Sequence, residues 1–132
     1  MPLVQNAQPG FSPRQLSGAA LRTFFNIAQA WRLTTEQQRT LLGMVPNSTF
    51  FKWKKHTDAT TLPKDTLERI SYILGIYKAL QILLPRSEQA DAWIQRANNA
   101  PLFSGKSALE RMLSGNVSDL FVVRQYLDSQ RG

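Results

Sequence analysis

The residues with the most distinctive chemistry lie in one stretch of the chain, between positions 47 and 55. The first three side chains of this stretch are short and polar, and three lysines follow them. An asparagine amide can bind the edge of an adenine through two hydrogen bonds, whereas lysine binds phosphate oxygens. On a helix this pattern predicts DNA binding, assisted by an arginine from the preceding segment. The candidate DNA-binding residues are Arg39, Asn47, Ser48, Thr49, Lys52, Lys54 and Lys55.

The sequence gives little support for a catalytic function. Cysteine is absent, and the single histidine, His56, cannot form a zinc site by itself. Gly105-Lys106-Ser107 matches the end of a phosphate-binding loop, but Ala100 stands where that motif needs a glycine. Asp65 and Glu68 lie one turn apart near the predicted start of a helix, where the helix dipole stabilises them. We therefore expect no enzymatic activity, no metal site and no cofactor.

The composition is that of a small globular protein with an excess of positive charge. The 132 residues are 42% hydrophobic, and their net charge is +7. Residues 1–61 hold seven basic and two acidic residues, whereas residues 62–132 hold nine and seven. Because a basic surface attracts polyanions, the signal for nucleic acid lies in the first half. We expect a cytoplasmic protein, with neither a secretory signal nor a membrane span.

Helix start and stop signals predict an all-α fold. Residues 1–11 are expected to form a flexible arm. After it, Ser12-Pro13 begins a first helix, with a hydroxyl at the N-cap and proline in the first turn. Thr34 begins a short second helix that ends before Gly43. No alternating apolar pattern of the kind found in strands is present.

The second half shows similar signals. Pro63 and Pro85 bound the longest predicted helix, whose apolar residues cover more than one face and predict packing on two sides. Another helix follows from Ser87. Ser107 and Glu110 form a capping box before the last two helices.

Residues 34–55 have the layout of a helix-turn-helix unit. The glycine at position 43 permits the positive φ of a tight turn, and the second helix would lie in the major groove. There are two departures from the usual pattern: Arg39 stands where a small residue is common, and the turn is one residue longer. The alternative is an ordinary helix pair whose lysines cover a solvated face. We assign residues 12–61 to a helix-turn-helix DNA-binding domain and residues 62–132 to a C-terminal helical domain packed with it.

A homodimer is expected because one DNA-reading helix contacts too short a sequence. Two-fold symmetry would match a palindromic operator. The amphipathic first helix supplies the candidate dimer contacts, which are Phe24, Phe25 and Trp31.

The second half also carries a distinctive order of motifs. Gly75-Ile-Tyr lies near the middle of the long helix, and Trp93 follows it. A Pro101-Leu-Phe-Ser-Gly loop comes next, and a Val123-Arg-Gln-Tyr-Leu segment lies in the last helix. This order resembles the toxin-binding domain of the Xre/MbcA/ParS antitoxin family over residues 63–132. Residues 13–56 resemble its Xre-like helix-turn-helix.

The resemblance implies a type II antitoxin with two activities. Such a protein binds a RES-domain toxin, blocks the active site with which that toxin degrades NAD, and represses its own operon through DNA. The resemblance also implies which residues face the toxin, in the loop after position 101 and in the last helix. These residues are Leu102, Phe103, Ser104, Gly105, Lys106, Ser107, Arg124, Tyr126, Arg131 and Gly132.

Several alternatives stay open at this point. An exposed Phe103 beside Arg124 and Tyr126 would suit a protein interface, because Tyr, Phe and Arg are common interface anchors. Leu102 and Phe103 could instead pack into the bundle beneath the helix that Ser107 begins. Two other functions also compete: a stand-alone transcription regulator without a toxin partner, and a toxin-binding protein whose helix-turn-helix is inactive.

Overall fold

A computed structural model describes residues 12–132, so the predicted arm over residues 1–11 lies outside the described residues. In the described part, the chain forms seven α-helices and no β-sheet, which confirms the predicted all-α class. Two short 3-10 turns lie at Thr57–Ala59 and Trp93–Gln95. The helices are α1 (Pro13–Ala30), α2 (Thr35–Leu41), α3 (Asn47–Lys55), α4 (Lys64–Leu83), α5 (Ser87–Ala92), α6 (Ala108–Met112) and α7 (Val117–Gln130).

Three helices begin at the N-cap residues that the sequence predicts, and each cap forms a capping box. Ser12, Thr34 and Ser107 each accept a hydrogen bond from the backbone N–H three residues later, and the side chain at that later position bonds back. Each box satisfies two N–H groups that would otherwise lack a partner. The helix predicted from Ser87 is shorter than expected, because the chain changes to 3-10 geometry at Trp93.

The long helix α4 connects the two halves of the chain. It packs against both α1 and α7, which confirms the prediction that its apolar residues serve more than one neighbour. Ile73, Ile76 and Leu80 are buried within it. One continuous hydrophobic core includes residues from α1 through α7. The helix-turn-helix and the C-terminal helices are therefore packed on a shared core.

The predicted dimer contacts on α1 need correction. Phe24 and Trp31 are 0% and 1% exposed, and the Trp31 ring packs against Tyr77 of α4 at a centroid distance of 6.2 Å. Phe25 is half-buried, with its ring edge-to-face against both Phe24 and Phe50. Because Phe24 and Trp31 fill the core of their own chain, neither is available to a second copy. The apolar spacing of α1 reflects its packing on α4.

The described residues contain neither a membrane-spanning element nor a metal cluster. Between positions 12 and 132, every helix falls short of the length and apolar character that a membrane span requires. The same residues include no group of three or more histidine, aspartate or glutamate side chains placed to hold a metal ion.

Candidate nucleic-acid and protein interfaces

Helices α2 and α3 form a helix-turn-helix whose turn contains two residues with positive φ. Gly43 has φ +115° and Met44 has φ +60°. Arg39 closes this turn, because its Nε donates a hydrogen bond of 2.9 Å to the carbonyl oxygen of Val45. Arg39, which stands where a small residue is common, therefore stabilises the longer turn through this hydrogen bond. Its Nε is used within the turn, so a phosphate contact would have to use its terminal nitrogens.

Two aromatic residues anchor α3 to the core. Phe50 is fully buried and Trp53 is 8% exposed. Asn47 and Ser48 are exposed at the start of the helix, and Thr49 is half-buried. In a helix-turn-helix the first residues of the second helix reach the base edges. The three short polar side chains predicted to bind DNA thus begin the helix that would enter the groove.

The three lysines of α3 are exposed, but they have different surroundings. Nζ of Lys54 lies 5.8 Å from the centroid of the Phe25 ring, a cation–π distance that places this charge beside α1. Lys52 and Lys55 make no ion pair with any carboxylate among residues 12–132, and α3 itself contains no acidic residue. Their charges are therefore available to a polyanion.

Only one of the two neighbouring phenylalanines of α3 anchors this helix to the core. The structure selects Phe50 and leaves Phe51 49% exposed. Phe51 stands four positions after Asn47 and four before Lys55, so it shares their solvent-facing side of the helix. The three-residue spacing of Phe50 and Trp53 was the signal that could have distinguished the two rings.

An ion pair with a nearly buried arginine joins the turn of the helix-turn-helix to the C-terminal half. The side chain of Arg69 in α4 pairs through Nε with Oδ2 of Asp65 at 2.9 Å, and its Nη2 donates to the carbonyl oxygen of Gly115 at 3.0 Å. A Cβ on Gly43 would lie 3.2 Å from the Asp65 carboxylate, so the turn rests directly on this pair. A Cβ on Gly115 would lie 3.0 Å from Sδ of Met44, so the Met44 side chain lies beside the turn at Gly115. This connection between the two halves of the chain was not predicted from the sequence.

The segment from Asn98 to Ser107 is a loop closed by backbone hydrogen bonds. The N–H of Asn98 donates to the carbonyl of Lys106 at 3.0 Å, and the N–H of Gly105 donates to the carbonyl of Asn98 at 2.8 Å. Ser104 and Gly105 have φ of +52° and +84°, which turns the chain sharply. Ser104, Gly105 and Lys106 are exposed, and we call these three residues the loop tip.

The structure corrects the prediction of an exposed Phe103. This ring is 3% exposed, and Ser107 is 8% exposed because it caps α6. The alternative, in which the phenylalanine packs into the bundle, is confirmed. Leu102 is half-buried, and its carbonyl oxygen accepts a hydrogen bond of 3.0 Å from Nη1 of Arg111. Three of the implied toxin-facing residues therefore serve, wholly or in part, to hold the loop in place.

Phe103 connects the loop to α7 through a row of aromatic rings. It lies edge-to-face against Trp93 at 5.9 Å and against Tyr126 at 5.3 Å between centroids. Both of those rings are half-buried. The structure thus brings Tyr126 and the loop together, as the resemblance implies.

Arg124 lies on a different side of α7 from Tyr126, since two positions on a helix correspond to about 200° of rotation. Its side chain crosses α4 above Gly75, where a Cβ would clash with the guanidinium. Arg124 and Arg131 each lie 3.6 Å from a carboxylate oxygen of Asp128. The implied toxin-facing residues of α7 therefore form two groups on separate faces.

Arg111 also supports the loop, and this role was not predicted from the sequence. Arg111, which holds the Leu102 carbonyl, also donates from Nε to Oδ1 of Asp119 at 3.0 Å. The Ser114 hydroxyl donates to the other carboxylate oxygen at 2.5 Å. This hydrogen bond from Ser114 and, after it, the positive charge of Arg111 hold the pKa of Asp119 below its ordinary value of 3.8.

Comparison with protein families accounts for both halves of this structure. The family model of the antitoxin Xre-like helix-turn-helix domain matches residues 11–75. That of the antitoxin Xre/MbcA/ParS C-terminal toxin-binding domain matches residues 79–132. This chain belongs to the Xre/MbcA/ParS antitoxin family. The antitoxin carries its DNA-binding unit in α2 and α3, while the loop and α7 belong to the toxin-binding domain. The first family match ends at residue 75 and the second begins at residue 79, so the two meet within α4. The domain boundary expected from the sequence, between residues 61 and 62, stays a prediction.

A curated relative of the antitoxin is known from Sinorhizobium fredii (strain NBRC 101917 / NGR234). It is described as uncharacterized protein y4oB, and it is 55% identical to this chain over 114 residues. The aligned region covers 86% of this chain and 85% of the relative. The similarity therefore spans both domains.

Proposed function

We propose that this antitoxin neutralises a RES-domain toxin by covering the active site at which the toxin degrades NAD. Two findings support the proposal: the motif order in residues 63–132 and the toxin-binding domain match to residues 79–132. The observation that carries it is the loop tip, which is exposed yet held by hydrogen bonds within its own loop. A preorganised tip loses little conformational freedom on binding, which favours a tight complex.

The residues implied to face the toxin take different roles in this proposal. The loop tip makes the direct contacts. Tyr126 borders the loop, and Phe103 supports it from below. Arg124 and Arg131 both lie beside Asp128 and belong to the second group, and the exposed Gly132 follows them, so these residues contact the toxin only if it also covers that face of α7.

The test is co-purification of the tagged antitoxin from its native cell, followed by an assay of NAD consumption. We expect a stoichiometric partner that consumes NAD once it is separated from the antitoxin. This NAD consumption should stop when the antitoxin is added back. Lys106→Glu should weaken this inhibition, because it reverses the one charge of the loop tip. Lys64→Glu is the matched control, since Lys64 is exposed at the start of α4. Recovery of the antitoxin alone or with DNA only would instead favour a stand-alone transcription regulator.

We also propose that the antitoxin represses its own operon as a homodimer. The support is the Xre-like helix-turn-helix match, the exposed start of α3, and the charges of Lys52 and Lys55, which have no carboxylate partner among residues 12–132. A reporter gene joined to the DNA upstream of the antitoxin's coding sequence tests this. We expect expression to fall when the antitoxin is supplied and to recover with Lys52→Ala. Unchanged expression with the wild-type protein would favour a toxin-binding protein whose helix-turn-helix is inactive.

A further inference from the structure

The solvent-facing side of α3 has an aromatic ring at its centre. Phe51 is 49% exposed, and the exposed residues around it are Asn47, Ser48, Lys52 and Lys55. Its ring lies edge-to-face against the buried Phe50, with centroids 5.2 Å apart. The ring is therefore held in a definite position by the core, although about half of it meets water.

The surroundings of this ring favour DNA over an apolar protein surface. Two lysines without carboxylate partners flank it among the described residues, and α3 has no acidic side chain. An asparagine and a serine precede it by one helical turn. A groove lined by phosphates and by base edges satisfies all of these groups together.

In the major groove the apolar group that a base presents is the C5 methyl of thymine. We infer that Phe51 reads thymine, by packing its exposed ring edge against that methyl group in the major groove. This inference rests on the proposed binding of the antitoxin to its operator through α3. It adds an apolar contact, and with it a preference for thymine, to the polar and phosphate contacts that the sequence predicts.

The experiment removes the methyl group without changing the protein. The duplex upstream of the antitoxin's coding sequence is synthesised with thymine or with uracil, which pairs identically but lacks the methyl. We expect wild-type binding to weaken by about fourfold for each contacted methyl group that is removed. Phe51→Ala should bind both duplexes with equal, reduced affinity, whereas Phe51→Leu should retain part of the thymine preference.

Phe121→Ala is the matched control, because Phe121 is 45% exposed on α7. This variant should keep the wild-type ratio of affinities for the thymine and uracil duplexes. If Phe51→Ala also keeps that ratio, or if the wild-type protein does not distinguish thymine from uracil, the inference about Phe51 is wrong while operator binding stands. If the wild-type protein binds the upstream thymine duplex no better than random DNA, operator binding itself is wrong, and the role of Phe51 falls with it.

Discussion

Asn47 and Lys52 stand on the same helix, yet we expect them to contribute to DNA binding in different ways. Asn47 is exposed at the first position of α3, where a side chain reaches base edges. Lys52 lies about one turn further on, and within the described part of the chain no carboxylate pairs with it. A base contact distinguishes sequences, but a phosphate contact strengthens binding to all of them.

We therefore predict that Asn47→Ala mainly relaxes base preference, while Lys52→Ala weakens binding to specific and random DNA alike. Lys52→Ala should also reduce the dependence of the logarithm of the affinity on the logarithm of the salt concentration by about 1, because one phosphate contact is lost. Fluorescence anisotropy with both kinds of duplex over a salt series measures these effects. Equal losses on both duplexes for both variants would contradict this division.

At the same scale, Asp119 shows how one carboxylate can support the toxin-binding loop. Its pKa is lowered in the folded state, so the unfolded state binds a proton more readily. The stabilisation it provides is therefore complete above pH 3.8 and is lost as the pH falls through the lower pKa of the folded state.

We predict that Asp119→Asn lowers the free energy of unfolding by about 1 to 3 kcal/mol at pH 7, the usual worth of hydrogen bonds to a charged group. The difference from the wild-type protein should shrink as the pH falls below 3.8. Urea denaturation at several pH values measures it. Asp128→Asn is the control, because that carboxylate is 45% exposed and its ion pairs should contribute little. A difference independent of pH would show that Asp119 does not stabilise the fold through its charge.

At the scale of elements, the turn between α2 and α3 is attached to the turn between α6 and α7. Arg69 makes this attachment from α4, and Thr66 adds a hydrogen bond of 3.2 Å to the carbonyl oxygen of Leu42. The DNA-reading helix is thus oriented by residues that lie outside the helix-turn-helix. Asp65, interpreted from sequence as a partner of the helix dipole, also holds this arginine in place.

We predict that Arg69→Met lowers the free energy of unfolding by about 1 to 2 kcal/mol, because it leaves the half-buried Gly115 carbonyl without its hydrogen-bond donor. The Asp65 carboxylate is 57% exposed, so water replaces much of its lost partner. It should also weaken DNA binding, since the turn before α3 loses its support. Arg86→Met is the matched control: its ion pair with Glu88 is 70% and 74% exposed, and its loss should change little. Thermal denaturation and anisotropy on the same samples measure both effects. A wild-type melting temperature for Arg69→Met would contradict the predicted support.

At the scale of the whole molecule, the shared core has a consequence for assembly. Two of the three aromatic residues that were expected at a dimer interface, Phe24 and Trp31, are already buried in the core of their own chain. A homodimer must therefore use surface that remains exposed on the folded chain.

We predict that size-exclusion chromatography with light scattering gives twice the mass of one chain at micromolar concentration. The physical reason is that a palindromic operator requires two helix-turn-helix units related by two-fold symmetry. Phe24→Ala should lower stability through the cavity it creates, without selectively removing the dimer. A single-chain mass throughout the concentration range would contradict the homodimer.

The sequence by itself determined the features that depend on neighbouring residues. Caps, prolines and apolar spacing are local, so the all-α order and the helix starts at Ser12, Thr34 and Ser107 could be read directly. The lysines of α3 and the motif order of the second half are local as well. They led to the DNA-binding unit and to the antitoxin family.

Only the tertiary structure decided which side chains the core would take. Phe103, in contrast to the loop tip, became buried because it packs against Trp93 and Tyr126. The bond from Arg69 to Gly115 joins residues 46 positions apart, and no local pattern encodes such a pairing. Local rules specify helices and their exposed charges, whereas burial depends on how α4 brings α1 and α7 together.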